Sequence, residues 1–372
     1  MSERPPGPRT PAVPAGASHP SASAPGASGT SGAAGASPAE LAARAASPAA
    51  LAAALAARGY IVDDALAMTA FLALRMQRPL FLEGAPGVGK TLLASVLAEV
   101  FETRLIRLSC YEGLDLAQAA YEWNYPRQLL ALQAHQRRPD AGAPGAAVNE
   151  AVNAAVNDAG VADAELGELY RDAFLMRRPL LQAIDAAAER PPVLLIDEID
   201  RADDEFESFL LELLGEFQIT IPELGTLRAR HRPIVVLTSN RTRDVHDALK
   251  RRCLYHWIDY PAFATELEIV RRKVPALADQ LRRRLVAFVQ RLRREDLSKL
   301  PGVAETVDWA EAIAHIAGLA PGLAGAGAAA GGPGGALDPA TVDATLGLLL
   351  KYHDDIERVR GALAAELLAE SA

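Results

Sequence analysis

The stretch Pro79-Leu-Phe-Leu-Glu-Gly-Ala-Pro-Gly-Val-Gly-Lys-Thr-Leu-Leu93 decides the fold. It opens on a short aliphatic run with the character of a buried strand. Its centre, Gly84-Ala-Pro-Gly-Val-Gly-Lys-Thr91, matches G-x-x-x-x-G-K-[ST] in full. It then runs into Leu92, Leu93, Val96, Leu97 and Val100, spaced as one face of a helix. A glycine-rich turn between strand and helix offers backbone N–H groups to phosphate oxygens. Lys90 adds a cation for the β and γ oxygens, and the Thr91 hydroxyl suits magnesium.

Four further runs share the strand character: Arg104 to Leu108, Val193 to Ile196, Ile234 to Thr238 and Tyr255 to Ile258. A helical stripe of Phe206, Leu210, Leu213, Leu214 and Phe217 lies among them. Strands alternating with helices predict an α/β domain whose parallel sheet is covered on both faces. Beyond Pro261 the strand signals stop. Thr265-Glu-Leu-Glu268 has the form of a capping box, and Leu277, Leu281, Leu285, Phe288 and Leu292 then mark a long helix. A separate small all-helical lid domain is expected there.

The 372 residues suffice for two or three domains, and 50% apolar composition supplies a core. Three stretches depart from that composition. An Ala/Pro/Ser/Gly tail spans residues 1–46. A biased segment at about 137–163 repeats Val-Asn every four residues, and a Gly/Ala/Pro-rich segment runs from about 318 to 339. They are read as a disordered tail, a variable surface insertion and a flexible loop. The domains expected are thus the tail, an α/β core over 47–260 that carries the phosphate-loop motif, and a helical lid over 261–372.

A net charge of −9 argues against nucleic acid as a partner. Cys110 and Cys253 stand far apart, without other ligands at metal spacing, as in a reducing compartment. No apolar run approaches the ~20 residues of a membrane span, and no signal-peptide pattern opens the chain, so a cytoplasmic location is expected.

Other motifs complete the chemistry. Val193-Leu-Leu-Ile-Asp-Glu198 is an aliphatic strand ending in two acids. Asp197 is placed to ligate magnesium, and Glu198 to activate the attacking water. Ser239-Asn240 follows another strand, where an amide can hold that water or serve simply as a turn former. Asp247-Ala-Leu-Lys-Arg-Arg-Cys253 gathers cations at a helix end. They complement the helix dipole, or else Arg252 or Arg251 reaches into a neighbouring subunit's site. Gln218 to Arg228 alternates about a Pro-Glu-Leu-Gly turn, a hairpin that either decorates the fold or lines a pore. Tyr121-Glu-Trp-Asn-Tyr-Pro126 concentrates three aromatics in a chain that is only 5% aromatic, which suits packing or an exposed contact loop equally. The arginines at 282, 283, 284, 291, 293 and 294 read as a solvated helix face.

This order of parts resembles the AAA+ superfamily of P-loop NTPases. The hairpin before the Asn240 strand looks like the MoxR branch. Leu105-Ile-Arg-Leu-Ser-Cys-Tyr-Glu-Gly-Leu-Asp115, Tyr121 to Gln128, Ile196 to Ala202 and Arg251 to Pro261 look like its CoxD type. The resemblance implies ATP and Mg2+ as cofactors, with Gly84, Ala85, Pro86, Gly87, Val88, Gly89, Lys90 and Thr91 binding ATP, and Thr91 and Asp197 the metal. Glu198, Asn240, Arg252 and Arg251 would be catalytic. It further implies a homohexameric ring, a von Willebrand factor A domain partner, and a client such as the molybdenum enzyme carbon monoxide dehydrogenase. Glu305 stands near the place where relatives carry a second sensor arginine. The alternatives are a nucleotide-dependent scaffold without hydrolysis and a DNA-directed motor.

Overall fold

The computed structural model describes residues 43–136, 172–184, 190–318 and 337–371. The tail up to residue 42, the 137–163 segment and most of the 318–339 segment lie outside these. Five parallel strands form the central sheet: β1 Leu80–Gly84, β2 Leu105–Ser109, β5 Val193–Asp197, β8 Ile234–Ser239 and β9 Leu254–Ile258, in the order β2-β5-β8-β1-β9. Two short antiparallel pairs supplement it. β3 Tyr121–Trp123 pairs with β4 Leu175–Arg177, and β6 Gln218–Ile221 with β7 Gly225–Arg228.

The aliphatic runs become central strands because both faces of the sheet are covered. Leu80 and Leu82 of β1 enter one apolar cluster, whereas Phe81 between them enters the cluster on the opposite face. On β5, Val193 and Leu195 face the first cluster, and Leu194 and Ile196 the second. The first is closed by α1 Pro48–Ala57, α2 Asp64–Met76 and α3 Lys90–Val100. Helix α3 buries the Leu93, Val96, Leu97 and Val100 stripe. Each such leucine or valine contributes roughly 1.5–3 kcal/mol of burial. The opposite face receives the short α4 Leu116–Ala119 and α6 Pro179–Ala183, together with α7 Asp204–Glu216. Helix α5 Tyr125–Gln136 follows β3, and α8 Asp247–Arg252 precedes β9.

The place of β1 in the sheet matters for function. Strand β1 lies between β8 and β9, so the chain leaving it must cross β8 and β5 to reach β2. A reversal of strand order at the C-terminal edge opens the crevice in which such sheets bind ligands. The phosphate-loop motif sits at its mouth.

After β9 come only helices among the described residues: α9 Phe263–Lys273, α10 Asp279–Leu292, α11 Val303–Ile316, α12 Pro339–Leu349, α13 His353–Val359 and α14 Ala362–Ala369. They enclose their own core, in which Phe288 and Trp309 meet at 5.3 Å. The stripe Leu281, Leu285, Phe288 and Leu292 is buried, as its spacing predicts.

Two local readings change. The capping box at Thr265 does not form. Helix α9 begins at Phe263, two residues after Pro261, with Ala262 at its N-cap, so Thr265 already lies in the first turn. Glu268 pairs instead with Arg272 at 2.9 Å. The arginine run is not a uniformly solvated face either. Arg282 is buried, donating to the carbonyls of Leu277 and Val274. The Arg293 side chain is also buried and makes a two-pronged ion pair with fully buried Glu266, at 2.6 and 2.7 Å. It stacks over Tyr260 at 4.8 Å. Because unpaired buried charge is costly, such arginines enter a core only with their partners supplied. The cluster Tyr121 to Pro126 divides: Trp123 is buried while Tyr125 is exposed. Among the described residues no helix is long and apolar enough to cross a membrane.

Candidate functional site

Gly84 carries the chain from β1 into the loop, and the geometry there admits no other residue. A Cβ at this position would lie 2.2 Å from the Ile258 carbonyl oxygen of β9. Gly87 and Gly89 adopt φ of +78° and +97°, in the left-handed region that glycine enters without steric cost. Gly89 is the N-cap of α3 and brings no side chain to satisfy the helix's first N–H groups. Those donors are left for an anion. Lys90, the first residue of α3, donates its ammonium to the carbonyls of Gly84 and Ala85, both at 2.8 Å. Burial pulls its pKa down to about 8, against the opposing pull of Asp200, Asp197 and Glu198.

Asp197 ends β5 beside this loop. Its Oδ1 accepts from Thr91 Oγ1 at 2.9 Å and from Thr238 Oγ1 at 2.6 Å, and its Oδ2 accepts from Arg107. The Thr91 hydroxyl and the Asp197 carboxylate are hard oxygen donors of the kind Mg2+ takes. This donor set and the glycine cradle fit a magnesium nucleotide.

Glu198 follows at φ +57°, a left-handed conformation that costs a non-glycine residue roughly 1–2 kcal/mol. Its backbone N–H donates to Thr238 Oγ1 at 3.0 Å. Its carboxylate meets Asn240 Nδ2 at 3.4 Å and Arg201 Nε at 3.1 Å. Asn240 is fixed in turn by Asp200, whose Oδ1 accepts from the Asn240 N–H at 3.3 Å. Asp200 Oδ2 accepts from the N–H and hydroxyl of Thr242 at 2.8 and 2.7 Å. The acids of β5 and the amide after β8 thus form one constellation beside Lys90. Thr238, Asp200, Arg201 and Arg107 also belong to it, and no motif in the sequence marks them.

Arg251 and Arg252 stand elsewhere. Both are exposed at the end of α8, and neither lines the cavity that holds Lys90, Asp197, Glu198 and Asn240. The carbonyls of Arg251, Arg252 and Cys253 are held by the Arg78 guanidinium at 2.6, 3.1 and 3.3 Å, which steadies the backbone, and the Arg252 guanidinium passes beside Gly215 of α7.

The cavity measures about 1020 Å³, the upper end of the small-molecule range of roughly 300–1,000 Å³. Beyond the constellation it is bounded by the segment Gly59 to Asp63 and by the first turns of α11. The lid meets the phosphate loop directly. The N–H groups of Val303 and Ala304 donate to the Gly87 carbonyl at 3.1 and 3.2 Å. Gly302 lies so close that a Cβ there would fall 2.8 Å from the Pro86 carbonyl oxygen and 3.0 Å from Gly87 Cα. Glu305 turns back on its own helix and accepts from the Gly302 N–H at 3.0 Å. Among the described lid residues no arginine lines the cavity; Lys273, Asp308 and Glu311 do. Cys110 and Cys253 are buried free thiols whose pKa values burial raises to about 12, so they are chemically quiet.

A glycine-rich loop between strand and helix, at the crevice of a β2-β5-β8-β1-β9 parallel sheet, defines a P-loop nucleotide-binding domain. Residues 80–258 match the model of the ATPase family associated with various cellular activities (AAA), and the chain carries an AAA ATPase domain over that stretch. Midasin from Giardia intestinalis is 51% identical over 45 residues, which are 12% of this chain and 1% of midasin. Single-substitution variants of RuvB from Thermotoga maritima match at 14% and 15% identity, with TM-scores of 0.37 and 0.38. Each match covers 68% of this chain and 61% of the RuvB chain, so this chain spans about three fifths of those structures and a hundredth of midasin.

Proposed function

We propose that this chain is a MoxR-type AAA+ ATPase that binds and hydrolyses ATP with Mg2+ at subunit interfaces to remodel a protein client. The observation that carries the reading is the convergence of Asp197, Glu198 and Asn240 beside Lys90 at the edge of one crevice.

The division of labour follows from chemistry. The loop amides and Lys90 bind the phosphates. Thr91 and Asp197 would hold the metal, which when bound neutralises charge on the phosphate oxygens. Glu198 takes the proton of the attacking water, and Asn240, already at its carboxylate, orients that water. Arg251 and Arg252, outside their own cavity, are supplied to a neighbour's site, where a guanidinium offsets charge developing on the γ-phosphate. That placement supports a ring, a homohexamer by resemblance to MoxR proteins. The hairpin β6–β7 and the CoxD-like stretches support the narrower reading, a cytoplasmic chaperone in the maturation of a molybdenum enzyme such as carbon monoxide dehydrogenase, working with a von Willebrand factor A domain protein.

ATP turnover and sizing of Glu198→Gln beside wild type test the core of this. The variant is expected to bind ATP, to assemble, and to lose roughly 10²–10⁴-fold in turnover. Turnover at the wild-type rate would sink the assignment of the base. The same variant, used as an ATP-locked trap, is expected to retain metalloenzyme subunits from cell extract; recovery of nucleic acid alone, or of nothing, removes the maturation reading.

A further inference from the structure

Arg107 plays no part in the scheme above, yet it touches the centre of the site. It lies on β2, the edge strand of the sheet, where Leu105, Arg107 and Ser109 point to the open side and Ile106 and Leu108 into the core. Its Nη2 ion-pairs with Asp197 Oδ2. The Asp197 side chain is 5% exposed and that of Arg107 56%.

The two carboxylate oxygens therefore have different occupants. Oδ1 is shared by the hydroxyls of Thr91 and Thr238, and Oδ2 belongs to a guanidinium that arrives from the solvent side. The pair is also asymmetric in cost. Losing its partner would strand Asp197 in a buried place, whereas Arg107 can withdraw into water. A divalent cation held by Thr91 and Asp197 would draw on the same carboxylate. Two cations packed against one carboxylate repel each other.

We propose that Arg107 is the resident counter-ion of Asp197 and that magnesium loads the site by displacing it. Loading of the metal and release of Arg107 are then one linked event. Whatever holds Arg107 away from Asp197 eases metal binding, and metal binding frees Arg107 for other contacts at the edge of the sheet. The inference rests on the reading of Asp197 as the metal aspartate.

The test is a magnesium titration of equilibrium binding of a fluorescent ADP analogue to the full chain, as wild type, Arg107→Gln and Arg107→Lys. Arg107→Gln removes the competing charge at a half-exposed position, and its magnesium midpoint is expected to fall roughly fivefold, the upper range for a partly solvated ion pair. Arg107→Lys, which keeps the charge, is expected to stay nearer the wild-type midpoint. Thermal unfolding supplies a second reading. Without metal or nucleotide, Arg107→Gln melts below wild type because Asp197 has lost its counter-ion, and with magnesium and ADP the gap closes. An unchanged or raised midpoint in Arg107→Gln, with wild type still magnesium-dependent, overturns this inference alone. A wild-type chain whose ADP binding ignores magnesium overturns the reading of the metal site, and this inference with it.

Discussion

The α/β core and the helical lid meet at the same cavity but contribute to it in different materials. The core presents side chains at strand ends: Asp197, Glu198 and Asn240, with Thr238 bridging the first two. The lid lines the cavity with Lys273, Asp308 and Glu311 but meets the phosphate loop through backbone. Val303 and Ala304 give their N–H groups to Gly87, and the lid's best-held arginines, Arg282 and Arg293, are turned inward to stabilise the lid itself. Chemistry is thus concentrated in one region, and the other acts on it by position.

Three perturbations probe that division. The largest effect is expected from Glu266→Ala. Besides Arg293, Glu266 accepts from Gln290 at 2.6 Å and Thr306 at 2.8 Å, so it joins α9, α10 and α11. Leaving Arg293 buried without its acid should cost about 3–5 kcal/mol, read as a lowered denaturant midpoint by tryptophan fluorescence. A loss under about 1 kcal/mol would mean that the pair is dispensable and the lid is held by its apolar core. Next is Gly302→Val, whose side chain would collide with Pro86 and Gly87 and lift α11 away. Two hydrogen bonds of about 1 kcal/mol each would be lost, so nucleotide affinity should weaken by roughly tenfold or more while the fold survives. Unchanged affinity would show that the lid does not act on the loop.

The smallest effect concerns pH and isolates the core. Burial lowers the Lys90 pKa to about 8, so the chain without nucleotide carries that charge below pH 8 and loses it above. An anion bound beside it favours the protonated form. ADP affinity should therefore fall as pH rises from 7 to 9, by up to roughly tenfold, with proton uptake on binding near pH 8–9. Calorimetry in buffers of different ionisation enthalpy measures the uptake; binding with none in that range breaks the prediction. The sign for stability runs the other way. The folded pKa lies below that of the unfolded chain, so burying the charged ammonium is a cost at neutral pH that is relieved as pH rises from about 8 to 10.5.

Much of the core could be read along the chain because its signals are local. The central strands β1, β5 and β8 are contiguous apolar runs, and the loop and the acid pair are contiguous motifs, so the fold class and the groups around Lys90 were already legible. Thr238 and Arg107 were not. Each becomes part of the site only through strand order: β5 lies between β8 and β2, which brings residues 41 and 90 positions away onto the two sides of Asp197. Nothing in a single sequence marks that adjacency. The lid misled for a related reason. Thr265 and Glu268 have capping spacing, but the helix already begins at Phe263, with Ala262 at its N-cap, before either of them. The alternation of charged and apolar residues on α10 could not show that Arg293 has a buried acid waiting on another helix.

The seam between Gly302 and Gly87 has a consequence for how the two regions can diverge. A junction made largely of peptide groups transmits where the lid is, and the one demand it makes on spelling is that Gly302 and Gly87 stay without side chains. Away from this seam and from the cavity-lining Lys273, Asp308 and Glu311, the outer side of the lid is free to be rewritten, and the phosphate loop will still register its movement.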